Sequence, residues 1–546
     1  MRQLCWNGQI DTGTEERADT FLIEDGKFLW VGKLENFPGD VEKETEKKDL
    51  CGNFVCAGFN DSHMHLLNYG YTLNMAQLMD HTSSLSEVQA CLREYIRQRE
   101  TERGETDGEF WVMGRGWNQD FFEGEKRFLT RWDLDEVTRK YPVCIIRACG
   151  HCCVVNSRAL ELLGITKNTP QPEGGRFDTD EEGEPNGIFR EHAVEYITGR
   201  IPAPSVPQIR EMLVRGMKKL NAYGITSCQT DDFTVFDLPY QKILEAYRGL
   251  EQEGRMTVKI NQQAQFRDQQ ELEDFLKQGG TTGAGSSLFR IGPLKIVGDG
   301  SLGSRTAYLA RPYADAPETR GMTLLTQEEL EQMVRTAHAG GMQIAVHAIG
   351  DGFLDQVLEA YEKAMEEFPR KDCRHGIVHC QITRPDQLKK MAELDLHVYL
   401  QSIFLDYDLR IVEDRVGKEL AGSSYAFRTL KELGLHVSNG TDCPVESPDV
   451  MACIQCAVTR KTLDGTAGPY REEEAVSVRE ALDSYTAEGA WASFEEEEKG
   501  RIAPGMAADF VILGKDPFAV PEEELKGIPV LETWMNGRCV FLSEKV

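Results

Sequence analysis

The feature that most constrains the fold is a run of alternating helix-like and strand-like segments that begins near residue 207. The segment PQIREMLVRGMKKLNAYG has a helical period and ends at Gly224, and the buried strand-like segment ITSCQT follows it. Six further helix–strand pairs continue to LHVSNGTDCP at residues 435–444. Strands that alternate with helices are typical of βα units and a parallel sheet.

The segment AGFNDSHMHL at residues 57–66 adds a first strand and brings the number of strands to eight. Eight βα units predict an α/β fold of the TIM (β/α)8 barrel type, whose reactive groups lie at the C-terminal ends of its strands. Residues 67–205 separate this strand from the next helix–strand pair, which is far longer than an ordinary βα loop. We therefore expect a large insertion after strand one that forms a lid or a wall of the substrate pocket.

Both ends of the chain differ from the middle, because they contain strand-like segments without intervening helices. TFLIEDG and KFLWVGKL near the N-terminus predict a hairpin, and ADFVILGKDPF and VLETWMNGRCVFL near the C-terminus carry an Asn536–Gly537 turn. The sequence therefore predicts a composite β-sandwich domain built from residues 1–57 and 488–546, on either side of a barrel at residues 58–487. The acidic run Glu495–Glu498 is expected to be a solvated loop.

Charge and composition exclude several classes of partner. Asp and Glu number 90 against 61 Lys and Arg, a net charge of -29, which would repel nucleic acid and anionic membranes. No apolar run reaches about 18 residues and the N-terminal sequence lacks a signal-peptide core, so we expect a cytoplasmic protein. The 15 cysteines are scattered singly, which favours reduced, structural thiols. The sequence is compatible with a homo-oligomer.

Six residues at the ends of the predicted barrel strands are candidate metal ligands. His63 and His65 are two positions apart, so they share one face of strand one, about 6.6 Å apart along the chain, while Met64 points outward. Strands four, five, six and eight end with Lys295, His347, His379 and Asp442. His375 shares the face of His379 but lies about 13 Å below it, so we expect a structural role there.

Imidazole and carboxylate groups in this number suit one or two divalent ions, with zinc as the predicted metal. An unmodified lysine is a poor ligand, but N6-carboxylation of Lys295 would supply two oxygens that bridge two ions. Asp442 would then ligate one ion and accept a proton from the attacking hydroxide. The glycine-rich GDGSLG lacks the GK[ST] ending of a phosphate-binding loop, and no GxSxG elbow provides a nucleophilic serine.

Several segments together resemble a known family. AGFNDSHMH, KIVGDGSLGSRTAYL, VHAIGD, HCQI and NGTDCPVESPDV are similar to motifs of the amidohydrolase superfamily, in its YtcJ-like branch, amidohydrolase family 3. GHCCVVNSRAL, GIFREHA and GRIAPGMAADFVILGKDP add to the resemblance. It implies a barrel hydrolase with a composite sandwich domain and a metal centre. On matching positions, His63, His65 and Asp442 would hold one metal and His347 and His379 a second, with Lys295 at the position of a carboxylated lysine.

The insertion carries the candidate substrate-binding residues. Trp117 and Asn118 belong to an aromatic segment whose composition suits an organic-ligand pocket, although a small hydrophobic core has the same composition. The resemblance adds Arg147 and Asn156 as residues that face substrate, and His151 as a catalytic donor to the oxyanion of a tetrahedral intermediate.

The leading hypothesis is a metal-dependent amidohydrolase that cleaves a non-peptide C–N bond of amide, N-acyl or N-formyl type with a metal-activated hydroxide, in a small organic substrate. The first alternative is a mononuclear-metal deaminase of a heterocyclic compound, which uses the same barrel. The second is a non-catalytic barrel-fold binding protein, which the complete set of candidate ligands disfavours.

Overall fold

A computed structural model describes residues 2–14, 16–39, 46–79, 81, 83–103 and 110–544. Its strands are β1 (Arg2–Trp6), β2 (Gln9–Ile10), β3 (Thr20–Glu24), β4 (Lys27–Gly32), β5 (Glu46–Asp49), β6 (Phe54–Ala57), β7 (Phe59–Met64), β8 (Ala76–Gln77), β9 (Val112–Trp117), β10 (Val143–Arg147), β11 (Cys152–Val155), β12 (Gly175–Thr179), β13 (Pro185–Glu191), β14 (Ile225–Thr230), β15 (Lys259–Gln265), β16 (Phe289–Val297), β17 (Ile344–Ala348), β18 (Gly376–His379), β19 (His397–Leu400), β20 (Val437–Asn439), β21 (Phe510–Leu513), β22 (Val530–Met535) and β23 (Arg538–Leu542).

Its α-helices are α1 (Leu66–Leu73), α2 (Leu85–Arg103), α3 (Arg131–Asp135), α4 (Ser157–Leu163), α5 (His192–Thr198), α6 (Val206–Asn221), α7 (Tyr240–Gln252), α8 (Gln269–Lys277), α9 (Gln327–Ala339), α10 (Asp351–Glu367), α11 (Pro385–Glu393), α12 (Leu405–Asp408), α13 (Val412–Ala421), α14 (Phe427–Glu432), α15 (Val450–Thr459), α16 (Val478–Ser484) and α17 (Ala487–Ala492).

The largest sheet is the predicted barrel. Strand β7 lies beside β14, and β14 to β20 follow one another in chain order, with every neighbouring pair parallel. The loop after β20 closes the ring against β7, because Asp442 N–H donates to His63 C=O (2.9 Å) and His65 N–H donates to Cys443 C=O (2.8 Å). The expected TIM-barrel α/β fold is confirmed, and this closing seam brings the last strand to the first.

The helices between the barrel strands have one apolar face. In α10, Phe353, Val357 and Tyr361 are fully buried at helical spacing, which is the pattern of a helix that packs on a sheet. Helix α9 begins with a capping box in which the Thr326 hydroxyl and the Glu329 carboxylate satisfy each other's backbone N–H groups. Local signals and packing therefore agree on where these helices start and which face they bury.

Two smaller sheets are built from the ends of the chain, one from N-terminal strands alone and one from strands of both ends. One has the order β4-β3-β1-β5, and the other, β2-β6-β21-β22-β23, pairs β6 antiparallel with β21. Their facing side chains share one core, in which Phe21 and Phe28 of the first sheet contact Phe510 of the second at ring-centroid distances of 5.0 and 6.2 Å. The N-terminal strands thus bury their apolar faces against strands made of C-terminal residues.

A buried ion pair connects the barrel to this pair of sheets. Lys259, the first residue of β15, places Nζ 2.5 Å from Oδ2 of Asp509, which directly precedes β21. The two side chains are only 7% and 4% exposed. Asp509 Oδ1 also accepts the backbone N–H of Asn536 at 2.7 Å, so both carboxylate oxygens are used.

The acidic run Glu495–Glu498 is only partly the solvated loop that its composition suggested, because Glu497 and Glu498 are exposed and the first two residues are not. Glu495 is buried, and its carboxylate lies 2.7 Å from Lys499 Nζ. Glu496 pairs with Arg374 at 2.8 Å. For Glu495 and Glu496 the expectation was wrong, because Lys499, four residues away, and Arg374, distant in sequence, meet their carboxylates in the fold.

Residues 70–208 form a compact unit of their own, while residues 1–69 and 209–546 form the other. Within the first unit, strands form a six-stranded sheet in the order β12-β13-β11-β10-β9-β8. Helix α2 and the segment around Trp117 pack on one apolar cluster, and α4 and α5 pack on another. None of the described helices combines the length and apolar character that crossing a bilayer requires.

Candidate metal centre

Three of the predicted ligands meet at the closing seam of the barrel. Asp442 Oδ1 lies 2.9 Å from His65 Nε2 and 3.4 Å from His63 Nε2. Each of the three residues offers one ligand atom, and these atoms lie within 4.8 Å of one another. Two imidazole nitrogens and a carboxylate oxygen that converge in this way are a typical donor set for a divalent ion.

The backbone around Asp442 is shaped to deliver its carboxylate to the histidines. Asp442 has a φ of 56°, in the left-handed region, and its N–H is held by the carbonyl of His63. The preceding Thr441 donates its N–H to the buried carboxylate of Asp61 at 3.1 Å. A Cβ at Gly440 would lie 2.5 Å from the nitrogen of His63, so only glycine fits where the two segments cross.

The hydrogen bonds of His63 and His379 fix the tautomer that metal binding needs. His63 Nδ1–H donates to Gln263 Oε1 (2.9 Å), and His379 Nδ1–H donates to Gln401 Oε1 (2.7 Å). Burial, together with nearby cationic groups, holds the pKa of both imidazoles well below its ordinary value. Both rings are therefore neutral, with the Nε2 lone pair available as a ligand.

His347 and His379 form the second predicted pair. Their ring centroids are 4.4 Å apart, and those of His379 and His63 are 5.6 Å apart. His347 Nε2 lies 3.2 Å from Asp299 Oδ1, and Asp299 in turn accepts the backbone N–H groups of Ile349 and Gly350. The structure thus brings all four candidate histidines to the same end of the barrel.

Lys295 lies buried between these groups. Its Nζ is 3.1 Å from His63 Nε2 and 3.5 Å from Asp231 Oδ2. Burial lowers the pKa of the amine, although the charges of Asp231 and Asp442 oppose this shift. A lowered pKa increases the fraction of neutral amine, the form that reacts with carbon dioxide.

Asp231 also belongs to this centre, although it was not among the predicted site residues. It directly follows β14, the second barrel strand, and its Oδ1 is in close contact with His65 Nδ1. Burial alone would lower the pKa of His65, but Asp231 and Asp442 outweigh it and raise the pKa to about 10. The signal in the sequence was its position in QTDD, directly after a barrel strand, where both carboxylates and histidines can ligate or orient a metal.

His375 lies at the lower end of its strand, as its distance from His379 suggested. Its Nδ1 accepts the N–H of Ile344 (3.1 Å), its Nε2–H donates to His338 Nδ1 (2.8 Å), and His338 Nε2–H donates to Phe368 C=O (2.7 Å). Cys373 lies close enough to complete a set of three potential ligands. However, this chain of hydrogen bonds occupies every imidazole nitrogen, so we assign the cluster a structural role.

Two of the substrate-binding predictions in the insertion are wrong. Trp117 is fully buried in the core of its own unit, where its indole N–H faces Ile145 C=O at 3.4 Å. Asn156 is fully buried too and caps α4: its Oδ1 accepts the N–H groups of Val143 and Ala159, while its Nδ2 donates to backbone carbonyls. Neither side chain has a polar group left for a ligand.

The other insertion residues retain accessible polar groups. Arg147 donates to Asn118 Oδ1 and Asp120 Oδ2, both at 2.8 Å. The side chain of His151 is 72% exposed, and its Nδ1 lies 3.1 Å from Glu191 Oε2. The inserted unit therefore holds these groups near its surface, in ion pairs and hydrogen bonds of its own.

Comparison with known proteins places this geometry in context. Residues 48–541 match the model of the amidohydrolase family. The chain is 33% identical over 549 residues to a Bacillus subtilis (strain 168) protein that carries the name amidohydrolase YtcJ, with 99% of each chain covered. It is 26% identical over 534 residues to the N-substituted formamide deformylase of Arthrobacter pascens, which covers 95% of this chain and 94% of that one.

Solved structures show the same similarity. An uncharacterized metal-dependent hydrolase from Pyrococcus furiosus has a TM-score of 0.78 and 29% sequence identity, and the match covers 95% of this chain and 100% of that one. A second, from Pyrococcus horikoshii OT3, has the same score and identity over 96% and 99% of the two chains.

Proposed function

Because the chain belongs to the amidohydrolase family and is a hydrolase of carbon–nitrogen bonds, we propose that it cleaves an amide, N-acyl or N-formyl bond in a small organic molecule. The observation that carries the proposal is the convergence of His63, His65 and Asp442 on one point at the catalytic end of the barrel. The relative named N-substituted formamide deformylase supports an N-formyl compound as the first substrate to try.

The donor set fits one or two divalent ions, and we propose zinc. His63, His65 and Asp442 would hold one ion and His347 and His379 the other, with a carboxylated Lys295 between them. When bound, zinc supplies Lewis acidity that activates water and polarises the scissile carbonyl. Asp442 accepts the proton released by the attacking water and returns it to the leaving nitrogen, since its carboxylate contacts both His63 and His65.

We propose that the inserted unit supplies the substrate contacts. His151, whose ring is accessible and paired with Glu191, would donate a hydrogen bond to the oxyanion of the tetrahedral intermediate. Arg147 and Asn118 would bind polar groups of the substrate. Trp117 and Asn156 are not part of this proposal because both side chains are buried inside the unit and hydrogen-bonded there.

A mononuclear deaminase of a heterocyclic substrate is the second candidate. The contact between Lys295 Nζ and Asp231 Oδ2 favours it, because this carboxylate opposes the fall in the pKa of Lys295 and so stabilises the ammonium form, which does not form a carbamate. The number of bound ions and the nature of the released product separate the two candidates.

Removal of the metal tests the proposed function. Dialysis against a chelator is expected to abolish amine release from matched N-formyl and N-acetyl amines, and zinc is expected to restore it, because the ion activates the attacking water. Amine release is measured by fluorescence derivatisation, and bound zinc by elemental analysis of the same samples.

The control is the His63→Gln variant, which should stay inactive after zinc is added. Full activity of the wild type in the chelator-treated, metal-free state would refute the mechanism. Ammonia release from heterocyclic amines with one zinc per chain would favour the deaminase instead.

A further inference from the structure

Asp231 lies at the catalytic end of the barrel, yet neither the ligand set nor the proposed reaction uses it. It directly follows β14 and is 3% exposed. The next residue, Asp232, is equally buried but serves another purpose: it accepts the N–H of Leu67 (2.9 Å) and the hydroxyl groups of Thr230 and Tyr247. Two adjacent buried carboxylates thus have different surroundings, and only Asp231 contacts candidate metal ligands.

The two oxygens of Asp231 contact two different groups of the metal centre. Oδ1 is in close contact with His65 Nδ1, and Oδ2 lies 3.5 Å from Lys295 Nζ. An ionised carboxylate only accepts hydrogen bonds, so His65 Nδ1 must carry a proton. The other ring nitrogen, Nε2, is then directed at Asp442 Oδ1, 2.9 Å away.

This environment distinguishes His65 from His63 and His379. Neutral amides orient His63 and His379, through Gln263 and Gln401. A carboxylate on Nδ1 raises the electron-donating strength of a ligating imidazole more than an amide does, and it fixes the orientation of the ring. His65 needs this restraint most, because its side chain is 26% exposed while that of His63 is 1% exposed.

We propose that Asp231 is the positioning residue of the metal centre, which fixes the His65 ring with Nε2 toward the ion and holds Lys295 beside it. The proposal rests on the proposed metal site and deepens it. Asp231 itself is not a ligand in this arrangement, because its Oδ1 faces His65 Nδ1, its Oδ2 faces Lys295 Nζ, and the convergent ligand atoms belong to His63, His65 and Asp442.

The zinc affinity of purified protein, measured by competition with a chromogenic chelator, tests this role without any substrate. Asp231→Asn is expected to weaken zinc binding by about 10- to 100-fold, the usual effect of removing a carboxylate that orients a ligating histidine. Asp231→Glu should recover part of the loss. The matched control is Asp232→Asn, which removes the neighbouring buried carboxylate and should leave zinc affinity within about twofold.

A double-mutant cycle with His65→Gln keeps the test decisive. If Asp231 acts through His65, Asp231→Asn adds little further loss of zinc affinity once His65 is replaced. Equal zinc affinity of wild type and Asp231→Asn, or an additive cycle, would overturn the proposal. If Asp231→Asn does not fold, as judged by circular dichroism, the same cycle is run with Asp231→Glu. Failure of the wild type to bind zinc at all would instead refute the proposed function.

Discussion

Replacement of Asp442 by Asn is expected to lower kcat by about 10³-fold, within the range for a lost general acid–base group. Asn preserves the shape of the side chain and the N–H contact with the His63 carbonyl, but it removes the charge and the proton acceptor. Because Asp442 also contacts both His63 and His65, zinc binding should weaken in the same variant. The measurement is kcat under saturating zinc, on whichever amide the wild type hydrolyses.

Glu446→Gln is the matched control for this variant. Glu446 lies on the same loop, four residues beyond Asp442, and burial together with nearby carboxylates raises its pKa to about 7. Its replacement should change kcat by less than about threefold, since the proposed mechanism gives Glu446 no proton to transfer. A variant with Asn at position 442 that retained a tenth of the wild-type kcat would show that the proton acceptor lies elsewhere.

Replacement of Lys259 by Met is expected to lower the free energy of unfolding by about 3–5 kcal/mol, because it leaves the buried Asp509 carboxylate without a cation. The pair joins the base of β15 to the start of β21, so its loss weakens the contact between the barrel and the terminal sheets. Urea titrations followed by circular dichroism give the free energy of unfolding of both proteins.

A second replacement, at Asp509, tests whether the loss of stability comes from the unpaired buried charge. Lys259→Met combined with Asp509→Leu should recover much of the lost stability, because no buried charge remains unpaired. Arg335→Met breaks the pair with Glu367, whose side chains are 54% and 46% exposed, and should cost less than about 1 kcal/mol. A similarly small loss of unfolding free energy for Lys259→Met would show that solvent or a nearby group stabilises the charge of Asp509.

The barrel could be predicted because its signal repeats. Seven helix–strand pairs carry the same periodic pattern, so errors in any one boundary do not change the count, and parity along β7 puts His63 and His65 on one face. The seam was not predictable, because it depends on the left-handed backbone at Asp442 and on the absence of a side chain at Gly440. Such close approaches arise from tertiary structure.

The insertion was predicted less well because a hydrophobic core and a ligand pocket have the same composition. Trp117 lies in a hydrophobic core, and only its burial in the structure distinguishes this from a position in a ligand pocket. The capping role of Asn156 was predictable from the sequence, because Asn156 stands directly before the helical segment SRALELL, the position at which Asn caps a helix. Asp231 was not predicted because a single carboxylate after a strand is a weak signal, and its contact with His65 arises only from tertiary structure.

The pairing of β6 with β21 has a consequence for the order of events during protein synthesis. Ala57 pairs with Phe510, so a strand completed early waits for a partner that the ribosome adds about 450 residues later. At about 5–20 residues per second, this takes roughly 20 to 90 seconds. Throughout this interval the apolar residues Phe54–Ala57 have an open edge, which makes the nascent chain a natural client for chaperones that shield hydrophobic strands.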